Sequence, residues 1–193
     1  KDPFMHVQFS PGKSKEWGYY MLTAWRFNPT ENISWRIYLD YRDYMGIAQG
    51  FGTNYKTEGF GKGDFKFYYM QERNKSKVFS RLPVGVAKVF QRYFVRLRHK
   101  WDVDERTNLI GEYYKIVDSK HAIYSPDYLI TKDFFPREYE KDPQPLSYIS
   151  AHRSFNYSML DVIMQPRTNR WYDEVEKLPE VKYSLPSLQV FEI

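Results

Sequence analysis

The sequence predicts an all-β chain, an antiparallel up-and-down meander of roughly nine or ten strands. Three observations predict it. The stretch "ENISWRIYLDYRDY" (31–44) alternates with period two: Ile33, Trp35, Ile37, Leu39 and Tyr41 fall on one side, and Ser34, Arg36, Asp40 and Arg42 on the other. The clear strand candidates run about 10 to 14 residues, longer than the usual strand of about 5 to 6 and close to a bilayer-crossing length. Helix signals are nearly absent. Only "SRLPVGVAKVFQRYF" (80–94) could be read as helical, and Pro83 and Gly85 oppose it.

The elements follow in order. Residues 1–16 read as an irregular lead-in, because Pro3, Pro11 and Gly12 interrupt any pattern. Residues 17–193 read as one β domain. "EWGYYMLTAWRF" (16–27) is the first strand candidate, ring-bearing on both faces and closed by "NPTEN". The alternating 31–44 stretch follows. "GIAQGFGTNYKTEGF" (46–60) puts Ile47, Phe51 and Tyr55 on one side, with glycines that suit a bend or close packing. "GDFKFYYMQER" (63–73) is a fourth strand, and a loop with Ser76, Ser80 and Pro83 leads onward. In "KVFQRYFVRLRHKW" (88–101), Val89, Tyr93, Val95, Leu97 and Trp101 share one face; Arg92, Arg96, Arg98 and Lys100 share the other. "DVDER" turns the chain into "TNLIGEYYKIV" (107–117). Residues 125–145 read as a long, proline-bearing connection, and 147–165 as one strand plus a turn. Val181, Tyr183 and Leu185 alternate near the end.

Composition narrows the function. Aromatics make up 19% of the 193 residues, with 18 Tyr. Tyrosine at that density suits surfaces that are half wet and half apolar, such as barrel girdles or stacking platforms. A net charge of +5 favours an anionic partner: nucleic acid, lipid headgroup or glycan. Cys is 0, which excludes disulfides and thiolate metal sites within these residues. No apolar run reaches the roughly 18 residues of a membrane helix. No signal peptide opens the chain, which begins at Lys1 without Met and reads as a piece of something longer.

Catalytic signals are weak, and no enzyme is expected. His6, His99, His121 and His152 are scattered without metal-ligand spacing. Asp102, Asp104 and Glu105 start like a calcium loop, but Arg106 and Thr107 stand where the turn needs Gly, and Tyr113 replaces the bidentate Glu. Sequons at Asn32, Asn74 and Asn156 decide nothing. The best ligand candidates are the cations of the polar strand faces: Arg36, Arg42, Arg92, Arg96, Arg98 and Lys100. They could be a solvated face, a nucleic-acid platform interleaved with Phe90 and Phe94, or the lining of a wet barrel lumen. A sandwich would turn Trp35 and Ile37 inward, and a membrane barrel would turn them outward.

The order of pieces resembles a known family. "GYYMLTAWRF", "ISWRIYLDYRDYMGIAQGFG", "YFVRLRHKWDVDERTNLIGEYYKIVDS", "SPDYLITKDFF" and "VEKLPEVKYSLPSLQV" together resemble the outer-membrane lipopolysaccharide-assembly protein family (LptD, organic solvent tolerance protein). Ser125, Asp127, Tyr128, Asp133, Phe134, Leu178 and Pro179 sit at comparable places, with Pro126 interrupting the Ser-Asp pair. The resemblance implies part of a transmembrane β-barrel, about its first eight to ten strands. It implies passage of lipopolysaccharide into the outer leaflet, with a plug lipoprotein inside the barrel, outer-membrane lipids around it and lateral opening between first and last strands. No cofactor, no covalent chemistry and no nucleic acid are expected. A soluble sandwich or jelly-roll module that binds an anionic glycan or nucleic acid is the alternative.

Overall fold

The computed structural model describes residues 6–73, 89–120, 129–169 and 175–185. They form one ten-stranded antiparallel sheet in sequence order: β1 His6–Ser14, β2 Gly18–Thr30, β3 Ile33–Arg42, β4 Gly46–Thr57, β5 Gly61–Arg73, β6 Val89–Asp104, β7 Thr107–Asp118, β8 Tyr148–Ser154, β9 Met159–Gln165 and β10 Lys177–Ser184. The protein is an all-β up-and-down meander. The sheet is open, with β1 and β10 as its edges. Two short helices, α1 Ile130–Phe134 and α2 Pro136–Lys141, lie in the β7–β8 connection.

Several sequence expectations need correction. Within the lead-in, residues 6–14 are not irregular but a strand, paired with β2 from His6↔Arg26 to Ser14↔Gly18. Pro11 lacks a ladder donor, and an edge strand tolerates that loss. Gly12 stands opposite Tyr20, and a Cβ there would lie 2.3 Å from the phenol. The 16–27 candidate is therefore not the first strand but falls largely in β2, which is paired on both sides. The 147–165 stretch holds two strands rather than one, and 125–145 carries the two helices. Residues 89–94, within the stretch that could be read as helical, are strand. The loop around Ser76, Ser80 and Pro83, the Asn74 sequon, His121, and Ser125, Asp127 and Tyr128 lie outside the described residues.

Directly opposed residues in an antiparallel pair share a face, so register defines rows across the sheet. One row is Trp25, Ile37, Phe51, Phe67 and Val95. The next position gives Tyr38, Gly50, Tyr68, Phe94 and Ile116 on the other face. The first face is uncovered: Trp35 is 37% exposed and Leu39 49%. The second carries the core, where Tyr68, Met70, Phe94, Leu129 and Ile130 are buried. Trp35 and Ile37 thus lie opposite Arg36, as the alternation predicts. Gly50 has a packing role in this core, because a Cβ there would come 2.8 Å from the Phe67 carbonyl and the Tyr68 ring.

β8 pairs with only residues 107–112 of β7. Side chains complete the rest of that edge. Ser147 Oγ accepts the Tyr114 N–H at 2.9 Å, and Asn169 Oδ1 accepts the Ile116 N–H at 2.8 Å. Asn169 Nδ2 and the Thr168 hydroxyl each donate to the Tyr114 carbonyl at 2.9 Å. Polar side chains here replace a strand at Tyr114 and Ile116, one way a sheet edge is blunted.

Candidate functional site

The covered face is built from charge. All six cations singled out in the sequence fall on it by register, together with Arg26, Lys66 and the acids Asp40, Asp64 and Glu72. Helices α1 and α2 lie over its middle. Phe134 and Phe135 pack on Tyr68 with ring centroids 6.0 and 4.9 Å away, and Phe135 meets Phe94 at 5.3 Å. The helices are too short to be stable alone, so this packing holds them.

Arg42 and Arg92 are not available to a ligand. Arg42 is 1% exposed, with its guanidinium between the Trp17 and Phe134 rings at 4.7 and 4.2 Å. It donates to the Tyr68 hydroxyl at 3.2 Å, and that hydroxyl donates to Asp40 Oδ2 at 2.6 Å. Arg92 is 0% exposed and meets three carboxylates: Glu72 at 2.7 Å, Asp118 at 2.9 Å and Asp133 at 2.6 Å. Lys120 caps the other Glu72 oxygen at 2.8 Å. A buried cation is tolerable when its hydrogen-bonding positions are filled this way. Both arginines tie the sheet together rather than line an open lumen.

The other four candidates are more open. Arg96 bridges Asp64 at 3.0 Å and Glu138 of α2 at 2.8 Å. Arg98 is half exposed and holds Asp64 at 2.7 Å. Lys100, also half exposed, stands 3.8 Å from Asp102. Arg36 donates to the Tyr38 hydroxyl at 3.3 Å. Lys66 adds an ion pair to Glu138, with its ammonium 3.6 Å from the Phe135 ring centroid.

Sequence reasoning gave no site role to three parts of this face, Asp133 being named only as a position of the family resemblance. Asp133 and Glu138 sit in a segment read as a connection, yet they neutralise Arg92, Arg96 and Lys66. The signal was present: a strand face with that many cations needs acids from elsewhere, and "TKDFFPREYE" supplies them. Arg26 was missed because β2 does not alternate cleanly. Asp40 accounts for part of that disorder. Its Oδ1 accepts the Thr23 N–H at 3.0 Å, while the Thr23 hydroxyl donates to the Leu39 carbonyl at 2.6 Å.

The uncovered face has its own organisation. Toward the short turns, Tyr55, Phe60, His99 and Trp101 cluster, with Phe60 and His99 centroids 4.6 Å apart. The Tyr55 hydroxyl and His99 Nδ1 are 2.7 Å apart across Gly63, where a Cβ would collide with the phenol. Toward the other strand ends the same face carries Tyr19, Tyr41, Tyr69 and Tyr93. The band between carries Ile37, Phe51, Phe67 and Val95 in one row and Phe65 and Leu97 in the next, with Trp25, Trp35, Thr53 and Tyr113 among them. Lys115, an outward cation of that band, donates to the Thr168 carbonyl.

Among the described residues no group of three His, Asp or Glu could hold a metal, and no helix is long and apolar enough to cross a membrane. No protein-family model matches the chain, and no curated protein matches its sequence.

Proposed function

We propose that this chain is a segment of an outer-membrane β-barrel whose Trp35 face meets lipid and whose Arg36 face lines a wet interior. The observation that carries the reading is the inversion of the sheet. Asp40, Arg42, Glu72 and Arg92 are buried, while Ile37, Leu39, Tyr41 and Ile47 are exposed. In water, each large apolar side chain left uncovered forgoes about 1.5–3 kcal/mol. Lipid removes that loss and leaves the charges inside. Two aromatic bands flanking an apolar zone are the expected outer surface of such a barrel. Strands β2 to β7, of 10 to 16 residues, can cross a bilayer when tilted.

The resemblance to the LptD family supports a specific cargo: lipopolysaccharide, moved into the outer leaflet in concert with a plug lipoprotein. The inner cations Arg36, Arg96, Arg98 and Lys100 would contact it, with Arg42 and Arg92 as scaffold. The soluble-module alternative needs a cover for the Trp35 face. The described residues form one sheet, and no second sheet among them supplies that cover. Fractionation tests the proposal. The protein, expressed behind an outer-membrane export signal, should sediment with outer membranes and need detergent for release. Recovery in the soluble periplasmic fraction would overturn it.

A further inference from the structure

On the covered face Lys66, Arg92, Arg96 and Arg98 each meet a carboxylate, and Arg42 meets Asp40. Arg26 and Arg36 do not. They stand directly opposite each other on β2 and β3. Among the described residues neither has a carboxylate at ion-pair distance. Arg26 Nη2 donates to Gln8 Oε1 at 3.3 Å, and Arg36 Nη1 to the Tyr38 hydroxyl at 3.3 Å. Like charges directly opposed on adjacent strands are destabilising. The fold thus sets two arginines directly opposite each other with no carboxylate among the described residues at ion-pair distance from either.

They also share a hollow. Both arginines line a cavity of about 240 Å³ with Ser34, Asn54 and Lys66. Gly52, opposite Arg36 on β4, leaves the space open: a Cβ there would meet nothing closer than 3.6 Å. Asp64 and Glu138 reach the same cavity, but both are engaged by other cations.

We propose that Arg26 and Arg36 form a binding site for a phosphate-class oxyanion, with one guanidinium supplied by each strand. Forked N–H donors match the paired oxygens of such a group better than ammonium does. Ser34 and Asn54 on the cavity wall offer hydroxyl and amide donors. As the headgroup site of an amphiphile, the proposal rests on the barrel reading. As an oxyanion site, it rests on the arginine pair alone.

The test uses the full chain in uncharged maltoside micelles. It is titrated with inorganic phosphate in one arm, and in a second arm with micelles doped with phosphatidic acid. Saturable binding is expected in at least one arm. Arg26→Gln with Arg36→Gln should weaken it roughly tenfold or more, the loss expected for charge-assisted hydrogen bonds. Lys182→Gln on β10 should leave it unchanged. Arg26→Gln alone, an exposed position, gives the same test if the double variant folds poorly. Binding only to doped micelles assigns a lipid headgroup; binding to both probes assigns the oxyanion itself. Wild-type protein that binds neither probe, or a double variant that binds as tightly as wild type, overturns the proposal. Membrane insertion is scored in parallel by heat-modifiable gel mobility. Insertion without binding would sink the site and leave the barrel, whereas phosphate binding by a protein that stays out of membranes would do the reverse.

Discussion

Arg92 of β6 and Asp133 of α1 form a 2.6 Å ion pair although 41 residues separate them. This contact fastens the helical segment to the covered face, and Arg96 and Lys66 repeat the arrangement through Glu138 of α2. Removing Asp133 leaves Arg92 with Glu72 and Asp118. We predict that Asp133→Asn costs about 1.5–3 kcal/mol, the range for a hydrogen bond to a charged group. Arg92→Met takes the shared cation from three carboxylates instead, two of them buried and Glu72 keeping Lys120, and should cost about 3–5 kcal/mol. Urea unfolding midpoints of the two variants in micelles check the order. Equal losses would mean that the helix contributes nothing to holding Arg92.

A second prediction contrasts two glycines on β4. Gly50→Val drives a side chain into the Phe67 carbonyl and the Tyr68 ring, both 2.8 Å from the position of its Cβ. It should cost about 1–3 kcal/mol, as overpacking does. Gly52→Ala meets only ordinary contacts, at 3.6 and 3.9 Å, and should stabilise by about 0.4–1 kcal/mol through reduced freedom of the unfolded chain. Thermal or urea midpoints of both variants decide whether the tyrosine row depends on Gly50.

These contrasts show what the sequence made legible. The meander, the two faces of β3 and the side of every candidate cation follow from period-two alternation alone. Burial on the charged face did not follow, because alternation separates faces without saying which one is covered. Helices α1 and α2 were hidden by "FFPRE", where Pro136 reads as a breaker yet occupies the first helical position that tolerates it. β1 was hidden by Pro11 and Gly12, which break a pattern but are acceptable on an edge. Arg26 was hidden because Asp40 intercepts the β2–β3 ladder at Thr23.

A third prediction concerns charge on the uncovered face. In the proposed barrel, Ile37→Arg places a cation against lipid near the middle of the apolar band. It should cost about 2–4 kcal/mol and reduce the amount assembled in outer membranes. Ser34→Arg, on the covered side beside the open cavity, should change stability by no more than about 0.5 kcal/mol. Immunoblots of outer-membrane fractions compare the two. Normal assembly of Ile37→Arg would count against lipid contact.

Orientation gives a fourth prediction. The turns after β2, β4, β6 and β8 are all short, whereas the other end of the sheet carries the long connections after β5, β7 and β9 beside short turns after β1 and β3. Bacterial barrels keep short turns on the periplasmic side and long loops outside. A cysteine at Glu58, in the β4–β5 turn, should therefore react with an impermeant maleimide only after the outer membrane is permeabilised. A cysteine at Glu16, in the β1–β2 turn, should react on intact cells. The opposite pattern would invert the barrel.

The central claim is that the exposed apolar face of β3 meets lipid and the charged face meets water. Leu39→Cys and Arg36→Cys sit on the same strand and point to opposite sides of the sheet. The decisive measurement is their labelling by an impermeant maleimide in protein reconstituted into lipid vesicles, set against labelling after unfolding in urea. The account predicts rapid labelling of the cysteine at 36 and protection of the cysteine at 39 until the protein is unfolded. Equal labelling of both in vesicles, or protection of 36 with exposure of 39, would contradict it.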